Sequence, residues 1–441
     1  MTSTLPSPAR RRLPGALRAR AAGRSALALA AGLALGACGR AASTATTGGS
    51  GGAPAASTPA SGSGAAGGGG TGTSSAGAST ASCLVSSGAP APGGPALADV
   101  QFVGARRGWA VGTGAILATT DGGAHWQHQL TGDLRLGGLD FVSATTGWAV
   151  GSGQLLGTTD GGRCWQRLGE PAAGSLRSVH FVSPVQGWGV AAGSTGTFPA
   201  QGNVPVAPQT GGVLVRTSDG GRHWVEVPGA PVAAQSVCFV DGHLGWLGAA
   251  GRVYRSTDAG AHWSEVLDAM AGSVASGTVT PVETVGCGAP ADVWAVSATG
   301  QGAAGTSPWA VFASTDGQHF RMVAQAMYGV PATGQAPAPG SYPGVVSVIG
   351  GGLAAVAGST PALPPPMAGV EVLSATGRAL TGVGRPTAMA APTGLAFVSP
   401  STGWVVGSVV PSGSSGPAGT EGEIAATTDG GATWTVQATV P

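Results

Sequence analysis

The sequence predicts an all-β protein, a seven-bladed β-propeller whose blades each contain four strands. Three observations predict it: an eight-residue pattern recurs along the chain, tryptophans occupy two fixed places around it, and short strand-like runs fill the intervals. The pattern Ser/Thr-x-Asp-x-Gly-x-x-Trp is called the Asp turn below. Its aspartates are Asp121, Asp160, Asp219, Asp258 and Asp429, and a copy that lacks one residue contains Asp316.

The Asp turn has the chemistry of a tight bend, which is a structural role. In the first copy, Thr119 to Trp126, the carboxylate of Asp121 can accept hydrogen bonds from the backbone N–H groups that follow it. The glycine provides the positive φ that the bend requires. The tryptophan then begins a strand and buries its ring under the turn. The pattern therefore predicts the fold and does not by itself predict a reaction.

The first unit, residues 98–129, contains four short strands separated by turn residues. They are Val100 to Val103, Trp109 to Gly112, Ile116 to Thr119 and His125 to His128. Four strands in about 32 residues are typical of an all-β repeat such as a propeller blade. In the later units the second strand also begins with Gly-Trp or Val-Trp, at Trp148, Trp188, Trp246, Trp294 and Trp404.

The sixth unit lacks the usual markers. The interval between Asp316 and Asp429 has room for two units, and the weaker of them is Val345 to Leu380. Gly352 to Gly358 stands in place of the Gly-Trp strand, and Ser374 to Arg378 stands in place of the Asp turn without its aspartate. Seven units result. A linear β-solenoid is the alternative, but its repeats are usually shorter and more regular in length.

The tryptophans support this division into units. Of the 12 tryptophans, only Trp309 lies outside the second-strand and Asp-turn positions, and it falls in a predicted third strand. The aromatic residues are therefore expected to pack the blades together. Two ways of closing the ring remain open: the first and last blades pack face to face, or Cys83-Leu84-Val85 adds to the last sheet.

Residues 1–37 are predicted to be a signal peptide. Seven arginines precede residue 41, and the apolar run Ser25 to Ala37 is too short to span a bilayer comfortably. The run ends in Leu35-Gly36-Ala37-Cys38, which resembles the lipobox of bacterial lipoproteins. We therefore expect Cys38 to be lipidated and the protein to lie at the extracytoplasmic face of the cell membrane. The alternative is an ordinary signal peptide with an incidental cysteine.

Residues 38–96 are predicted to be a disordered tether, and residues 97–441 to be the propeller. No charged residue occurs from Ala41 to Ala98, where Ala, Gly, Ser, Thr and Pro dominate. Such a composition cannot bury enough apolar surface to offset its ordering entropy. After residue 40 the chain has 13 arginines against 19 acidic residues, a net charge of −6. This charge predicts no nucleic-acid partner, because such partners require a clustered basic face.

The repeats resemble two known families. The Asp turn resembles the Asp-box of the bacterial neuraminidase (BNR) repeat. The longer unit, Phe-Val followed by Gly-Trp-Ala-Val-Gly and Thr-Thr-Asp-Gly-Gly-x-x-Trp, is similar to the photosystem II assembly and stability factor family over residues 98–439. The resemblance implies an exported, often lipid-anchored seven-bladed propeller. A photosynthetic role does not follow from it, because one fold serves many functions.

Catalysis is the less favoured prediction. A sialidase requires an arginine cluster, a tyrosine nucleophile assisted by a glutamate, and an aspartate acid/base. Tyr254 precedes an Asp turn, and Tyr328 and Tyr342 lie in Gly/Pro-rich connections. Glu283 fits a solvated residue at a strand entrance better than a catalytic one. We expect no catalytic residue and a non-catalytic binding or assembly scaffold. The alternative is a secreted sialidase-like glycoside hydrolase.

No cofactor or metal site is predicted. The residue before the aromatic of the Asp turn is a histidine in four copies, but Cys164 and Thr433 fill the same place in two others, so the place does not require a ligand. The four histidines are His125, His223, His262 and His319. His180 shares a first-strand position with Gln101 and Asp140. These three could form a polar ring near the channel, or His180 could instead form a hydrogen bond between blades.

Four cysteines remain after Cys38, and four cysteines allow three pairings. Export makes disulfides plausible for this chain. Cys238 and Cys287 lie on first strands of adjacent units, so this pair is favoured. Cys83 with Cys164 then follows by elimination.

A partner surface is predicted on the face opposite the Asp turns. The connections between second and third strands are long in four units, and insertions on one face are typical of a recognition surface. They are Ser194 to Gly211, Ala298 to Pro308, Ser359 to Gly369 and Ser408 to Glu423. We expect a protein or carbohydrate partner there, and contact with the membrane through the N-terminal lipid. Sequence drift in Gly/Pro-rich loops is the alternative.

Overall fold

The computed structural model confirms the predicted fold, a seven-bladed β-propeller. It describes residues 82–87, 97–193, 211–269, 282–288, 292–298, 309–326, 336–337, 339–340, 342–360, 367–386, 389–409 and 421–440. The signal peptide, Cys38 and all of the tether except 82–87 lie outside these residues. None of the described segments is an α-helix, so none of them contains a helix that could cross a membrane.

Each blade is one antiparallel sheet whose strands follow chain order outward from the channel. Blade 1 contains β1 (Leu97–Val103), β2 (Arg107–Thr119) and β3 (Gln127–Arg135). Blade 2 contains β4 (Gly138–Phe141), β5 (Gly147–Gly151), β6 (Gln154–Thr158) and β7 (Gln166–Arg167). Blade 3 contains β8 (Leu176–Phe181), β9 (Gly187–Ala191), β10 (Val213–Thr217) and β11 (Val225–Glu226). Blade 4 contains β12 (Ala234–Phe239), β13 (Gly245–Ala249), β14 (Arg252–Ser256) and β15 (Ser264–Asp268).

The remaining blades have the same arrangement. Blade 5 contains β16 (Val282–Cys287), β17 (Val293–Ala298), β18 (Trp309–Ser314), β19 (Arg321–Ala326) and the short parallel β20 (Ala336–Pro337). Blade 6 contains β21 (Tyr342–Val348), β22 (Leu353–Thr360) and β23 (Met367–Ser374). Blade 7 contains β24 (Met389–Phe397), β25 (Gly403–Val409), β26 (Glu421–Thr427) and β27 (Thr435–Val440). Trp309 begins a third strand, as predicted.

The sheets of blades 1 and 6 contain three continuous strands, and each fills its fourth strand position differently. In blade 1, β2 continues through a bend at Gly114, whose φ is 86°, so its first half pairs with β1 and its second half with β3. In blade 6, the fourth position is taken by residues 379–384. That segment forms single bridges to β23, from Ala379 to Leu373 and from Gly384 to Val370.

The ring closes by face packing of blades 7 and 1. The rings of Phe102 and Trp404 stack with centroids 3.5 Å apart, and Thr393 Oγ1 donates a hydrogen bond to Leu97 O at 2.6 Å. The other closure, in which the segment around Cys83 joins the last sheet, is wrong. That segment lies against blades 1 and 2 instead, where Leu84 N donates to Trp165 O and Ser87 N to Thr131 O.

The two faces of the ring differ in their connections. Because neighbouring strands are antiparallel, the loops after first strands and the Asp turns after third strands lie on one face. Hydrogen bonds join the two sets, for example from Gly161 N to Thr145 O at 2.8 Å and from Gly220 N to Val185 O at 2.9 Å. The connections between second and third strands therefore emerge on the opposite face. Most of the predicted insertions (194–210, 299–308, 361–366 and 410–420) lie outside the described residues.

Candidate functional site

The six Asp turns are closed by a small hydrogen-bond network. In the first, Thr119 Oγ1 donates to Asp121 Oδ1 at 2.8 Å and accepts from Gly123 N at 2.9 Å. The backbone N of His125 donates to the same carboxylate oxygen at 3.0 Å. Gly122 and Gly123 have φ angles of 79° and 91°, which L-residues rarely adopt. The threonine hydroxyl thus closes the turn together with the aspartate carboxylate. The sequence pattern alone does not predict this role.

The same network recurs around the ring. A Ser or Thr hydroxyl donates to the aspartate at 2.8–2.9 Å in the other five turns, those of Asp160, Asp219, Asp258, Asp316 and Asp429. A backbone N–H from the residue before the aromatic donates to each at 2.8–3.0 Å. All six predicted aspartates therefore lie in turns on one face of the ring.

Four Asp turns also contain a histidine that contacts the aspartate. Nδ1 of His125 lies 2.7 Å from Asp121 Oδ2, and the corresponding distance is 2.6 Å for His223, His262 and His319. The four rings are exposed, with side-chain exposures of 83–90%. The sequence predicts their exposure but not this pairing, which follows from the bend that brings the two side chains together.

Hydrogen bonds keep the turn carboxylates ionised. The backbone N–H and the ring of His262, with the hydroxyl of Ser256, lower the pKa of Asp258 to about 2. The hydroxyl and the backbone N–H of Thr433 lower the pKa of Asp429 to about 2 as well. These carboxylates are fully engaged in closing the turns. They are not placed to exchange protons with a substrate near neutral pH.

Five of the six Asp turns, all except that of Asp429, also accept a hydrogen bond from the second-strand tryptophan of the preceding blade. Trp148 stacks on Phe181 with centroids 3.4 Å apart, and its Nε1 donates to Gly220 O at 2.9 Å. Phe181 in turn meets Trp224 of its own blade edge to face at 5.9 Å. Equivalent stacks join Trp109 to Phe141, Trp188 to Phe239 and Trp404 to Phe102. The aromatic residues thus pack blade against blade, as the sequence analysis expected.

A belt of polar side chains joins the first strands of neighbouring blades. Gln101 accepts a hydrogen bond from Phe141 N at 2.6 Å and donates to Phe141 O at 3.3 Å. Asp140 accepts from Phe181 N, and His180 Nε2 lies 2.7 Å from Phe239 O. His180 therefore contacts the next blade, as one of its two alternatives predicts, and Gln101 and Asp140 form hydrogen bonds between blades in the same way.

Asp99 is a second, half-buried carboxylate beside this belt. It accepts hydrogen bonds from Val100 N and Leu139 N, each at 2.8 Å. Burial raises the pKa of Asp99 to about 7 despite these bonds, and the nearby charge of Asp140 adds to the effect. A pKa near 7 suits acid catalysis near neutral pH, but both oxygens of Asp99 accept hydrogen bonds from backbone N–H groups.

The cysteines occur as the two pairs that the sequence analysis favours, Cys238 with Cys287 and Cys83 with Cys164. The first disulfide extends the belt, because Cys238 occupies the position of His180 one blade further on. His180, Cys238 and Cys287 bring one nitrogen and two sulfur atoms within 4.8 Å of one another. The sulfur atoms are bonded to each other in this state, so they are not free thiolates.

The residues weighed for catalysis do not come together in the described part of the ring. Tyr254 lies on β14, a third strand, and is half-buried. Tyr328 lies outside the described residues, as does Cys38. Tyr342 and Glu283 lie on β21 and β16, and their side chains are not described. Glu371 was missed: it is 1% exposed, neither carboxylate oxygen has a hydrogen-bond partner, and burial raises its pKa to about 7.

A comparison with protein families identifies the same type of repeat in this chain. The family model described as photosynthesis system II assembly factor YCF48 matches residues 91–176, which is less than half of the chain. The protein is a β-propeller of the BNR-like repeat type. The matched stretch runs through blades 1 and 2, each of which contains a complete Asp turn. Among curated protein sequences, none matches significantly.

Solved structures resemble this β-propeller only distantly. YCF48 bound to D1 peptide is 15% identical, with 72% of this chain and 92% of that chain covered and a TM-score of 0.46. YCF48 from Cyanidioschyzon merolae is 15% identical, with coverages of 68% and 83% and a TM-score of 0.41. The GH74 xyloglucanase from Xanthomonas campestris is 16% identical, with coverages of 80% and 46% and a TM-score of 0.45. The fold assignment therefore rests on the blades themselves.

Proposed function

We propose that the protein is a non-catalytic scaffold, lipid-anchored at the extracytoplasmic face of the membrane, that binds a protein partner on the face opposite the Asp turns. One observation carries the scaffold role. The polar and aromatic side chains that the repeat supplies are engaged in closing turns and joining blades, as with Asp121, Gln101 and Trp148. The match to an assembly-factor family over residues 91–176 supports the same role.

The segment before the ring shows where the predicted tether would join the scaffold. Cys83 is bonded to Cys164, which belongs to the Asp turn of blade 2. Leu84 is packed against the core between blades 1 and 2, and its N donates to Trp165 O at 2.7 Å. A lipid on Cys38 would therefore be connected to the ring at its Asp-turn face. The opposite face, where the long connections emerge, would then be turned away from the point of attachment.

The anchor is tested by the variant Cys38→Ser. We expect the unaltered protein to fractionate with membranes and to incorporate a labelled fatty acid, and the variant to be released into the soluble extracytoplasmic fraction. Retention of the variant in the membrane fraction would contradict lipid anchoring. The variant leaves the ring untouched, so a loss of its fold would not be confused with a loss of the anchor.

The binding face is tested by shortening one insertion. Residues 194–211 of blade 3 can be replaced by Ser152-Gly153, the short turn between the second and third strands of blade 2. We expect crosslinked partner proteins captured with the unaltered scaffold to be lost with this variant and kept with His223→Ala, an exposed change on the Asp-turn face. Equal capture by both variants would contradict the assignment of the face. Binding to a glycan array would indicate a carbohydrate partner instead.

A secreted glycoside hydrolase is the second candidate, and the pKa of Asp99 is the observation that favours it. A panel of fluorogenic glycosides, tested on the purified propeller and on Asp99→Asn, distinguishes the two functions. We expect no turnover above the uncatalysed rate. Turnover that Asp99→Asn abolishes in a folded protein would replace the scaffold proposal.

A further inference from the structure

The first strands of blades 3, 4 and 5 bring three metal-ligating side chains to one point of the ring. His180 and Cys238 stand at the same position, one residue before the aromatic of their strand, where side chains reach toward the next blade. Nε2 of His180 lies 3.8 Å from Sγ of Cys238. With Sγ of Cys287, these atoms all fall within 4.8 Å of one another.

The repeat itself provides the reference for this cluster. In four blades the place of Cys287 is taken by a phenylalanine on which the tryptophan of the preceding blade stacks: Phe102, Phe141, Phe181 and Phe239. An aromatic residue thus suffices to join the blades elsewhere. Blade 5 lacks that phenylalanine. Its Cys287 lies beside the sulfur of Cys238 and the imidazole of His180, so both the packing and the chemistry of this position differ from the other blades.

We propose that reduction of the Cys238–Cys287 disulfide converts this point into a zinc site with His180 and the two cysteines as ligands. A dithiol reductant of the thioredoxin class would break the S–S bond, form two thiols and itself become a disulfide. On binding Zn²⁺ the two thiols release their protons to solvent. Three protein ligands leave the fourth tetrahedral position open to water or to a donor atom of another molecule.

The geometry requires little movement of the imidazole. Zn–N and Zn–S bonds of about 2.0 and 2.3 Å in a tetrahedron place nitrogen and sulfur about 3.5 Å apart. The 3.8 Å between His180 Nε2 and Cys238 Sγ is close to that value. Nε2 would give up its 2.7 Å contact with Phe239 O, and the two sulfurs would rotate apart. One nitrogen and two thiolates are donors that zinc prefers, whereas Mg²⁺ and Ca²⁺ prefer oxygen.

The site is partly exposed to solvent, from which a reductant and a metal ion would enter. His180 and Cys287 are half-buried, while Cys238 is buried. The side chains that hold the site lie on strands of three separate blades, so the backbone would keep them in place when the disulfide opens. The proposal does not depend on the lipid anchor or on the binding face described above.

Titration of the purified protein with Co²⁺ and Zn²⁺ tests the site directly. After reduction we expect one equivalent of Co²⁺ to bind with thiolate-to-cobalt charge-transfer absorption in the near ultraviolet, and Zn²⁺ to displace it. The oxidised protein should give no such absorption. His180→Gln should weaken binding by more than about tenfold, because even residues that only orient a ligand contribute 10- to 100-fold.

The second disulfide provides the matched control. After reduction, Cys83→Ser/Cys164→Ser keeps the proposed ligands and should bind Co²⁺ like the reduced unaltered protein. Cys238→Ser/Cys287→Ser keeps the other pair and should not bind it. Absence of stoichiometric binding to the reduced protein, or equal binding by the Cys238→Ser/Cys287→Ser variant, would overturn the proposal. Near-ultraviolet circular dichroism of the tryptophans shows whether each variant is folded. His180→Gln changes one proposed ligand and leaves the cysteines of both disulfides in place.

Discussion

The interface between blades 2 and 3 and the two interfaces of blade 6 show what the repeat contributes. At the first, Trp148 stacks on Phe181 and its indole N–H donates to Gly220 O of the next Asp turn. Blade 6 has neither the turn nor the tryptophan. Trp294, which faces it from blade 5, is fully buried, and its Nε1 has no hydrogen-bond partner among the residues that the structure describes.

The other side of blade 6 is altered in the same way. Ala355 occupies the tryptophan position, since it pairs with Ser347 as Trp148 pairs with Asp140. Phe397 of blade 7 therefore keeps its edge contact with Trp434 but has no stacked tryptophan. Small aliphatic side chains fill the space between these sheets. The fold thus tolerates the loss of one module because apolar burial remains, although a directional hydrogen bond is lost.

The largest effect is expected from Trp148→Ala. The change removes a fully packed indole, its stack and its hydrogen bond, so we expect the free energy of unfolding to fall by about 3–5 kcal/mol. Urea unfolding followed by circular dichroism measures it. Val185→Ala, at a half-exposed side chain on the same face, is the control and should stay within about 0.5 kcal/mol. A cost below that of the control would show that the stack does not hold the blades.

Glu371→Gln tests a buried carboxyl at a third-strand position that is not acidic in blades 2, 3, 4, 5 and 7. The equivalent residues of those blades are Leu156, Val215, Tyr254, Phe312 and Ala425. Burial raises the pKa of Glu371 from 4.5 to about 7. Between these values the unfolded chain is ionised while the folded chain stays protonated, so the stability falls as the pH rises through this window.

The Glu371→Gln variant should not show this fall in stability with rising pH. We expect Glu371→Gln to be more stable than the unaltered protein at pH 8 by at least about 1 kcal/mol, and similar to it at pH 4, where the acid is neutral. Urea midpoints measured from pH 4 to 8 give the two curves. Parallel curves would mean that Glu371 does not titrate in the folded state within this range.

A matched pair of substitutions measures the hydrogen bond alone. Trp148→Phe and Trp294→Phe both remove one ring, but only Trp148 has an indole N–H partner. We therefore expect Trp148→Phe to cost about 1 kcal/mol more than Trp294→Phe. The difference between the two urea midpoints is the measurement. Equal costs would assign the blade coupling to stacking and burial.

The smallest effect is expected from restoring an aspartate to blade 6. Ser374 Oγ lies 2.7 Å from Thr376 Oγ1 and accepts from Arg378 N at 3.1 Å, which is an Asp turn with a hydroxyl in place of the carboxylate. Thr376→Asp should raise the free energy of unfolding by about 0.5–1 kcal/mol. Thr376→Asn, which lacks the charge, is the control. No gain over that control would show that the ionised carboxylate adds nothing to this turn.

Much of the fold could be predicted because the Asp turn is local. The hydroxyl of Thr119, the carboxylate of Asp121 and the backbone of His125 meet within seven residues, so the pattern is visible along the chain. The candidate zinc site shows the opposite case. His180 and Cys238 are 58 residues apart, and no spacing rule joins them until the first strands of adjacent blades stand side by side.

The sequence by itself determined the repeat, the number of blades and the place of every complete Asp turn. Each of these features depends on interactions between residues that are close together in the chain. Only the tertiary structure decided how the ring closes and which partner each buried polar group finds. Trp404 donates to Gly122 O across 282 residues, whereas Trp294 has no acceptor within the described part of the chain. Such bonds depend on the surface that the next blade presents, and this surface exists only once both sheets have formed and packed.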